Sequence, residues 1–154
     1  MNLFVLDENP ILNAKSHNDR HVVKMILEAT QIASTVLWLS GGEGPYRVTH
    51  KNHPVVKWAG ASIANYRKTI EYGLALSAEY THRFGSIHRC TALLLQMQAA
   101  RPLLPDLPFA GHVYCGDPAC VVNGDVVQSY RRYYLLRKRH IAQWTKREAP
   151  GWWA

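Results

Sequence analysis

SHNDRHVVKMILEATQIASTVLWL, residues 16–39, is the stretch that decides the fold. At 100° per residue, Val22, Ile26, Ala29, Ala33 and Val36 share one face, an apolar stripe able to cover a core. His21, Lys24, Glu28 and Gln31 fall together on another face, within about 80° of one another. A long helix from Ser16 to Leu39 is expected, ended by the Gly-Gly-Glu-Gly-Pro run at 41–45. Its polar face sets a titratable base, an amine and a carboxylate at i, i+3 and i+7, a set suited to proton transfer and to stabilising a cation. The same face also suits plain solvated surface, where Lys24 and Glu28 form an i,i+4 pair worth about 0.3–0.5 kcal/mol.

Outward from this helix the chain reads as all-α. Residues 2–6 (Asn-Leu-Phe-Val-Leu) read as extended or as the start of a strand, and Asp7 to Asn13, with Pro10 inside it, as a turn. Asn52 or His53 is placed to cap a second helix with Pro54 in its first turn. That helix carries Trp58, Ser62, Asn65 and Tyr66 on one side and either continues or restarts through Arg83, with Gly85 as its stop. A shorter helix spans about Cys90 to Ala100. Four prolines and three glycines make residues 101–125 irregular, a length of loop that is usually functional or mobile. A last helix begins near Asp125 and runs to about Arg139. The whole is expected to be one compact helical domain over residues 1–154.

Composition narrows the partner. The chain has 154 residues, 47% of them hydrophobic, and a formal charge of +7. From Val126 onward it holds Arg131, Arg132, Arg137, Lys138, Arg139, Lys146 and Arg147 against one acid, Glu148. A basic segment interleaved with Tyr130, Tyr133, Tyr134 and Trp144 fits phosphate contact with base stacking. It fits a helix with tyrosines in the core and arginines outside just as well. His50, Asn52, His53 and Trp58 offer a second candidate site, where polar groups at a helix start meet an anion and an aromatic meets a base. The alternative there is capping, with Trp58 in the core.

No apolar run approaches the roughly 20 residues of a membrane span, and MNLFVLDENP lacks the basic start of a signal peptide. A cytoplasmic monomer with no membrane contact is expected. Cys90, Cys115 and Cys120 are an odd number, which argues against a disulfide framework. Cys115 and Cys120, with His112 and His88, lack the tight spacing of common zinc sites, and buried thiols are expected instead. No metal or cofactor is expected.

Several of these residues carry a resemblance. Asp19-Arg20-His21 with Glu28 seven residues on is similar to the first helix of the phage pyrimidine-dimer DNA glycosylases of the endonuclease V type. Asn52-His53-Pro54 followed by Trp58 resembles a segment of that family's bacterial relatives. Arg83-Phe84-Gly85 resembles the end of its second long helix, and Pro150-Gly151-Trp152-Trp153 its aromatic C-terminus. The run His-Val-Val-Lys-Met-Ile-Leu-Glu at 21–28 also resembles a group of phage proteins. The resemblance implies an all-helical fold and an N-terminal α-amine that attacks C1′ of the damaged nucleotide to form a Schiff base. It also implies a helix-one glutamate that supports base loss and strand cleavage, and no metal. Carried over by position, these are Met1 as the amine, Glu28 and His21. Leu27 and Gln31 stand where the family has phosphate-binding arginines. Lys24 is a second candidate nucleophile, on condition that burial lowers its pKa.

The binding residues expected on these grounds are Gln31, His50, Asn52, His53, Trp58, Asn65, Tyr130, Arg131, Arg137, Lys138, Trp144, Lys146 and Arg147. The partner is duplex DNA carrying a damaged or modified pyrimidine. Two alternatives use the same scaffold: an enzyme acting on a nucleotide or base, either a transglycosylase or a hydrolase, and a basic DNA-binding protein without catalysis.

Overall fold

A computed structural model describes residues 1–154. Six α-helices and no β-strand form: α1 (Pro10–Ser16), α2 (Asp19–Leu39), α3 (Pro54–Ala59), α4 (Ile63–Phe84), α5 (Cys90–Ala99) and α6 (Val126–Arg137). Two short 3-10 turns, Pro118–Cys120 and Arg139–Ile141, complete the regular structure.

Five of the six helix starts carry a side-chain cap, α5 being the exception. The Asn18 side chain accepts from the amide of His21, Ser62 from Asn65 and Asp125 from Gln128, each taking up one of the orphan donors of a first turn. Gly85 ends α4 at φ 72°, a left-handed turn that glycine adopts without strain.

The long helix expected from Ser16 forms as α2 from Asp19, and a separate helix, α1, precedes it. Asn9 caps α1 by accepting from Ile11 and Leu12, so Pro10 opens a helix rather than marking a turn. His17 is extended at φ −67° and ψ 138°, and breaks α1 from α2. The expected second helix is divided: α3 stops at Gly60, and Ser62, also extended, begins α4.

The expected apolar stripe of α2 is buried throughout, and α2 packs chiefly against α4. Gly73 allows the close approach: a Cβ there would lie 3.0 Å from Leu94 of α5 and 3.2 Å from Ala29 of α2. By length and composition α2 could cross a membrane, contrary to what its sequence suggested, yet most of its apolar window is buried inside this fold. Residues 2–6 form no strand. Leu3, Phe4, Val5 and Leu6 are all buried, so the segment threads the core rather than pairing with an edge. The irregular stretch 101–125 is docked, not free. The Pro105 carbonyl accepts from Ile63 N, Gly111 O from Trp58 Nε1 and Cys115 O from Asn2 Nδ2.

Arg83 is the largest side chain buried within the fold. Its guanidinium donates to Glu79 Oε1, Asp19 Oδ1 and the carbonyls of His17 and Lys15. Asp19 in turn accepts from the amide and hydroxyl of Thr145. One polar network thus ties the end of α4 to the α1–α2 elbow and to the C-terminal segment.

Candidate active site

The site is built on Glu28. Its Cα lies about 10 Å along α2 from that of His21, at 1.5 Å per residue. The residue is 7% exposed, and its carboxylate is surrounded by donors. Oε2 accepts from the peptide N–H of Asn2 at 2.7 Å and lies 4.0 Å from the α-amine of Met1. Oε1 is 3.5 Å from Lys24 Nζ.

The N-terminus reaches this carboxylate because the residues behind it are anchored. Burying each of Leu3, Phe4, Val5 and Leu6 contributes about 1.5–3 kcal/mol at most. The Met1 side chain is itself only 2% exposed. Asn2 completes the anchor: its Nδ2 donates to Cys115 O at 2.6 Å, and its Oδ1 accepts from Tyr130 OH at 2.9 Å. The same hydroxyl accepts from Cys115 N at 2.8 Å.

His21 is not brought to Glu28, which corrects its expected catalytic place. It is 6% exposed, lies parallel to the Phe4 ring at 4.7 Å, and has Nδ1 hydrogen-bonded to Tyr134 OH. Burial, with the charges of His17, Lys138 and Lys24, pushes its pKa down to about 3. It is a neutral core residue that holds Phe4, and through Phe4 the N-terminal segment. The helical wheel placed it on the polar face with Lys24, Glu28 and Gln31. The Tyr134 that covers it comes from α6, which the wheel cannot see.

The burial required of a nucleophilic lysine is also missing at Lys24. Its side chain is 66% exposed and serves as a counter-ion to Glu28. Gln31 is half-buried one turn further along α2.

His53 stands at the start of α3. It caps α3 through Nδ1, which accepts from Val55 N at 3.2 Å. Burial, the charge of the N-terminus and that of His50 lower its pKa, while Glu28 acts to raise it. His50 and Asn52 are exposed; His50 holds φ 49° with Nδ1 on the Thr49 hydroxyl. The anion site expected at this helix start is already used up, because Pro54 lacks an N–H, His53 takes that of Val55, and α3 has only six residues.

Most other expected binding residues are structural. Trp58 donates to Gly111 O at 2.6 Å and packs on His112 and Phe109, so it is no free stacking platform. Asn65 is 2% exposed and donates to Trp58 O. Tyr130 is buried and clamps Asn2. Trp144 donates to Ser16 O and packs on Trp153. Arg131 is spent on Leu6 O and Asp7, Arg137 on Asp117, and Arg147 on Glu79. Lys138 lies over the Tyr133 ring, close enough to His21 to depress its pKa. Lys146 is exposed at φ 54°. The free part of the basic segment is thus Arg132, Lys138 and Lys146, with Arg139 tied to the C-terminal residue. Cys90 and Cys120 are buried free thiols and Cys115 is a half-buried one. No three His, Cys, Asp or Glu side chains converge to hold a metal.

Comparison with protein families settles the relationship. The model of the pyrimidine dimer DNA glycosylase family matches residues 1–91, well over half of the chain. The chain belongs to that family. No curated protein and no solved structure matches. The glycosylase-family match includes Met1, Asn2, Glu28, His53 and Arg83, and stops before the loop and α6 that supply Cys115, Tyr130 and Tyr134. In this glycosylase-family chain, then, the elements that clamp Asn2 and bury His21 lie outside the matched part.

Buried neutral histidines give the fold a pH dependence. Burial lowers His17 and His112 to about 4 and His21 to about 3. An unfolded chain protonates these rings near 6.5. Below that pH the unfolded state binds more protons, so stability is complete above about 6.5 and falls as the pH drops toward 4. The loss by pH 5 is on the order of 1–2 kcal/mol per histidine. Urea midpoints measured at pH 7 and 5 are expected to differ accordingly; equal midpoints refute the neutral assignment.

Proposed function

We propose that this protein is a DNA glycosylase that removes a damaged or modified pyrimidine by attack of its N-terminal amine on C1′. The observation that carries this is the convergence of the Met1 amine and the Asn2 amide on the Glu28 carboxylate. A neutral amine forms the new N–C1′ bond as the glycosidic bond breaks, and the departing base takes up a proton. Glu28 faces the positive charge that develops at the sugar and accepts the proton the amine sheds. The C1′–O4′ bond then breaks, O4′ taking up the proton that Glu28 received, and the imine forms. Removal of a C2′ proton expels the 3′ phosphate and nicks the strand, whereas water on the imine leaves an abasic site.

A nucleotide in DNA must leave the stack to be reached in this way. Glu28 lines none of the molecule's three surface cavities, the largest of which, about 580 Å³, is lined by residues that include Asp7, Glu8, His112 and Arg131. Glu28 is buried but its neighbour Lys24 is exposed, and a site without an enclosing chamber suits a polymer better than a free nucleotide.

Borohydride trapping is the test, using duplexes that carry an abasic site or a cis-syn thymine dimer. A covalent adduct that maps to the N-terminal peptide is expected. Its mass tells whether the amine is that of Met1 or, with Met1 removed, that of Asn2, whose nitrogen lies nearer Glu28. An adduct at Lys24 moves the nucleophile, and no adduct on either duplex overturns the amine mechanism.

A further inference from the structure

The side chain of Asn2 belongs to a closed ring of hydrogen bonds. Asn2 Nδ2 donates to the Cys115 carbonyl at 2.6 Å, and the Cys115 amide donates to Tyr130 OH at 2.8 Å. That hydroxyl donates in turn to Asn2 Oδ1 at 2.9 Å, which closes the ring. Oδ1 also accepts from Leu3 N at 2.8 Å. The Asn2 amide therefore has one orientation, its oxygen toward two donors and its nitrogen toward a carbonyl. Tyr130 is well placed to impose it. The residue is buried, with its ring held edge-on to Phe4 at 5.4 Å and tilted against Tyr114 at 4.7 Å. Burial pushes its hydroxyl well above the ordinary range, so it stays protonated and keeps donating.

Residue 2 is one peptide from the reacting nitrogen. Its N–H rests on Glu28 Oε2 at 2.7 Å, and its side chain is fixed by the ring. The Met1 side chain is buried as well, which leaves little freedom to the α-amine 4.0 Å from the same carboxylate.

We propose that Tyr130 is a positioning residue of this reaction, its hydroxyl fixing, through Asn2, the direction from which the N-terminal amine approaches C1′. The inference rests on the glycosylase function proposed above. Tyr130 touches neither the amine nor Glu28. The ring of hydrogen bonds carries no charge, so it acts on the geometry of attack and leaves the protonation of the amine alone. Misplacing a reacting atom by about 1 Å costs about 100-fold in rate. Tyr130 also lies beyond residues 1–91, so the family-matched part supplies the amine and the carboxylate while α6 supplies their alignment.

Borohydride trapping on an abasic duplex, followed as rate against duplex concentration, is the test, since no base has to leave and attack by the amine is read directly. Tyr130→Phe removes one oxygen and keeps the packing of the ring. Its maximal trapping rate is expected to fall about 30- to 100-fold, with the half-saturating duplex concentration within about threefold of wild type. The pH at half-maximal trapping should not move. Asn2→Leu breaks the same ring of hydrogen bonds at a chain end, should slow trapping similarly, and carries the test alone if the phenylalanine variant does not fold. The double variant should be within about threefold of the slower single one, because both remove one device, whereas independent effects multiply. Tyr66→Phe takes an equally buried hydroxyl from the Met97 carbonyl and should trap like wild type. Wild-type trapping by either folded single variant, multiplied losses in the double, or a Tyr66→Phe variant slowed as much overturns the role. A wild-type protein that does not trap at all removes the amine mechanism, and the role of Tyr130 with it.

Discussion

Glu28→Gln is expected to lower base release by about 10²- to 10⁴-fold while leaving the protein folded and bound to DNA. The amide has the shape of the carboxylate, and its oxygen can still accept from Asn2 N, so the N-terminus keeps its place. What disappears is the negative charge 4.0 Å from the α-amine and 3.5 Å from Lys24. In the mechanism proposed, that charge receives the amine's proton and balances the cationic sugar. The structural cost is small, because Lys24 is largely solvated and an exposed i,i+4 pair contributes only about 0.3–0.5 kcal/mol. Affinity for duplex DNA should hold or rise, since one repulsive charge facing the phosphates is gone. Single-turnover base release, filter-binding affinity and melting temperature together decide the matter. A variant that binds and melts like wild type but no longer releases base assigns the chemistry to Glu28. Unchanged base release removes the carboxylate from the mechanism. A protein in which neither form releases base, yet both bind DNA, is the non-catalytic DNA-binding alternative.

How far the sequence carried is clearest in α2. Its apolar stripe and the Lys24–Glu28 pair are properties of one helix, and periodicity alone exposes them. The caps at His53 and Gly85 are equally local: Pro54 after a polar residue and a glycine after Arg83-Phe84 mark the ends of helices by backbone chemistry. What stayed hidden needs two segments at once. Asn2 holds the N-terminus only because Cys115 and Tyr130, more than a hundred residues away, meet its side chain. The Leu3–Leu6 run was the one hint, since four consecutive apolar residues seldom lie in water. His21 looked like an active-site base on the wheel, and Tyr134 and Phe4 make it a buried ring. The C-terminal arginines looked like a DNA-binding array because their charges could be counted but their partners could not. Asp7, Asp117 and Glu79, each far away in sequence, neutralise three of them. Helix α1 was missed for a different reason. Pro10 is both a turn residue and a helix opener, and Asn9 ahead of it decides which.

Arg83→Met should destabilise the fold more than any surface change, by about 3–5 kcal/mol. The Arg83 side chain has no exposure, and its four donor contacts reach Glu79, Asp19 and the carbonyls of His17 and Lys15. Methionine fills similar space but donates to none of them. Glu79 is the critical partner. Burial pushes its carboxyl up, but hydrogen bonds from Arg147 and Arg83 outweigh burial and hold it below the usual carboxylate range. Without Arg83 it keeps only Arg147, at 3.0 Å to each oxygen, which places the cost toward the lower end of the range. Lysine at this position should recover little. One ammonium cannot serve four acceptors spread over the end of α4 and the α1–α2 elbow, whereas the planar fork of arginine can. Glu79→Leu combined with Arg83→Met should recover part of the loss, because the most deeply buried carboxylate goes with its partner and Asp19 still accepts from the amide and hydroxyl of Thr145. The expected fall in melting temperature for R83M is about 10 °C. Below that transition the N-terminal amine should remain active, since Met1, Asn2 and Glu28 make no contact with the network. A melting temperature unchanged in R83M, or trapping activity lost while the protein stays folded, contradicts this division between the part that holds α2 and the part that does the chemistry.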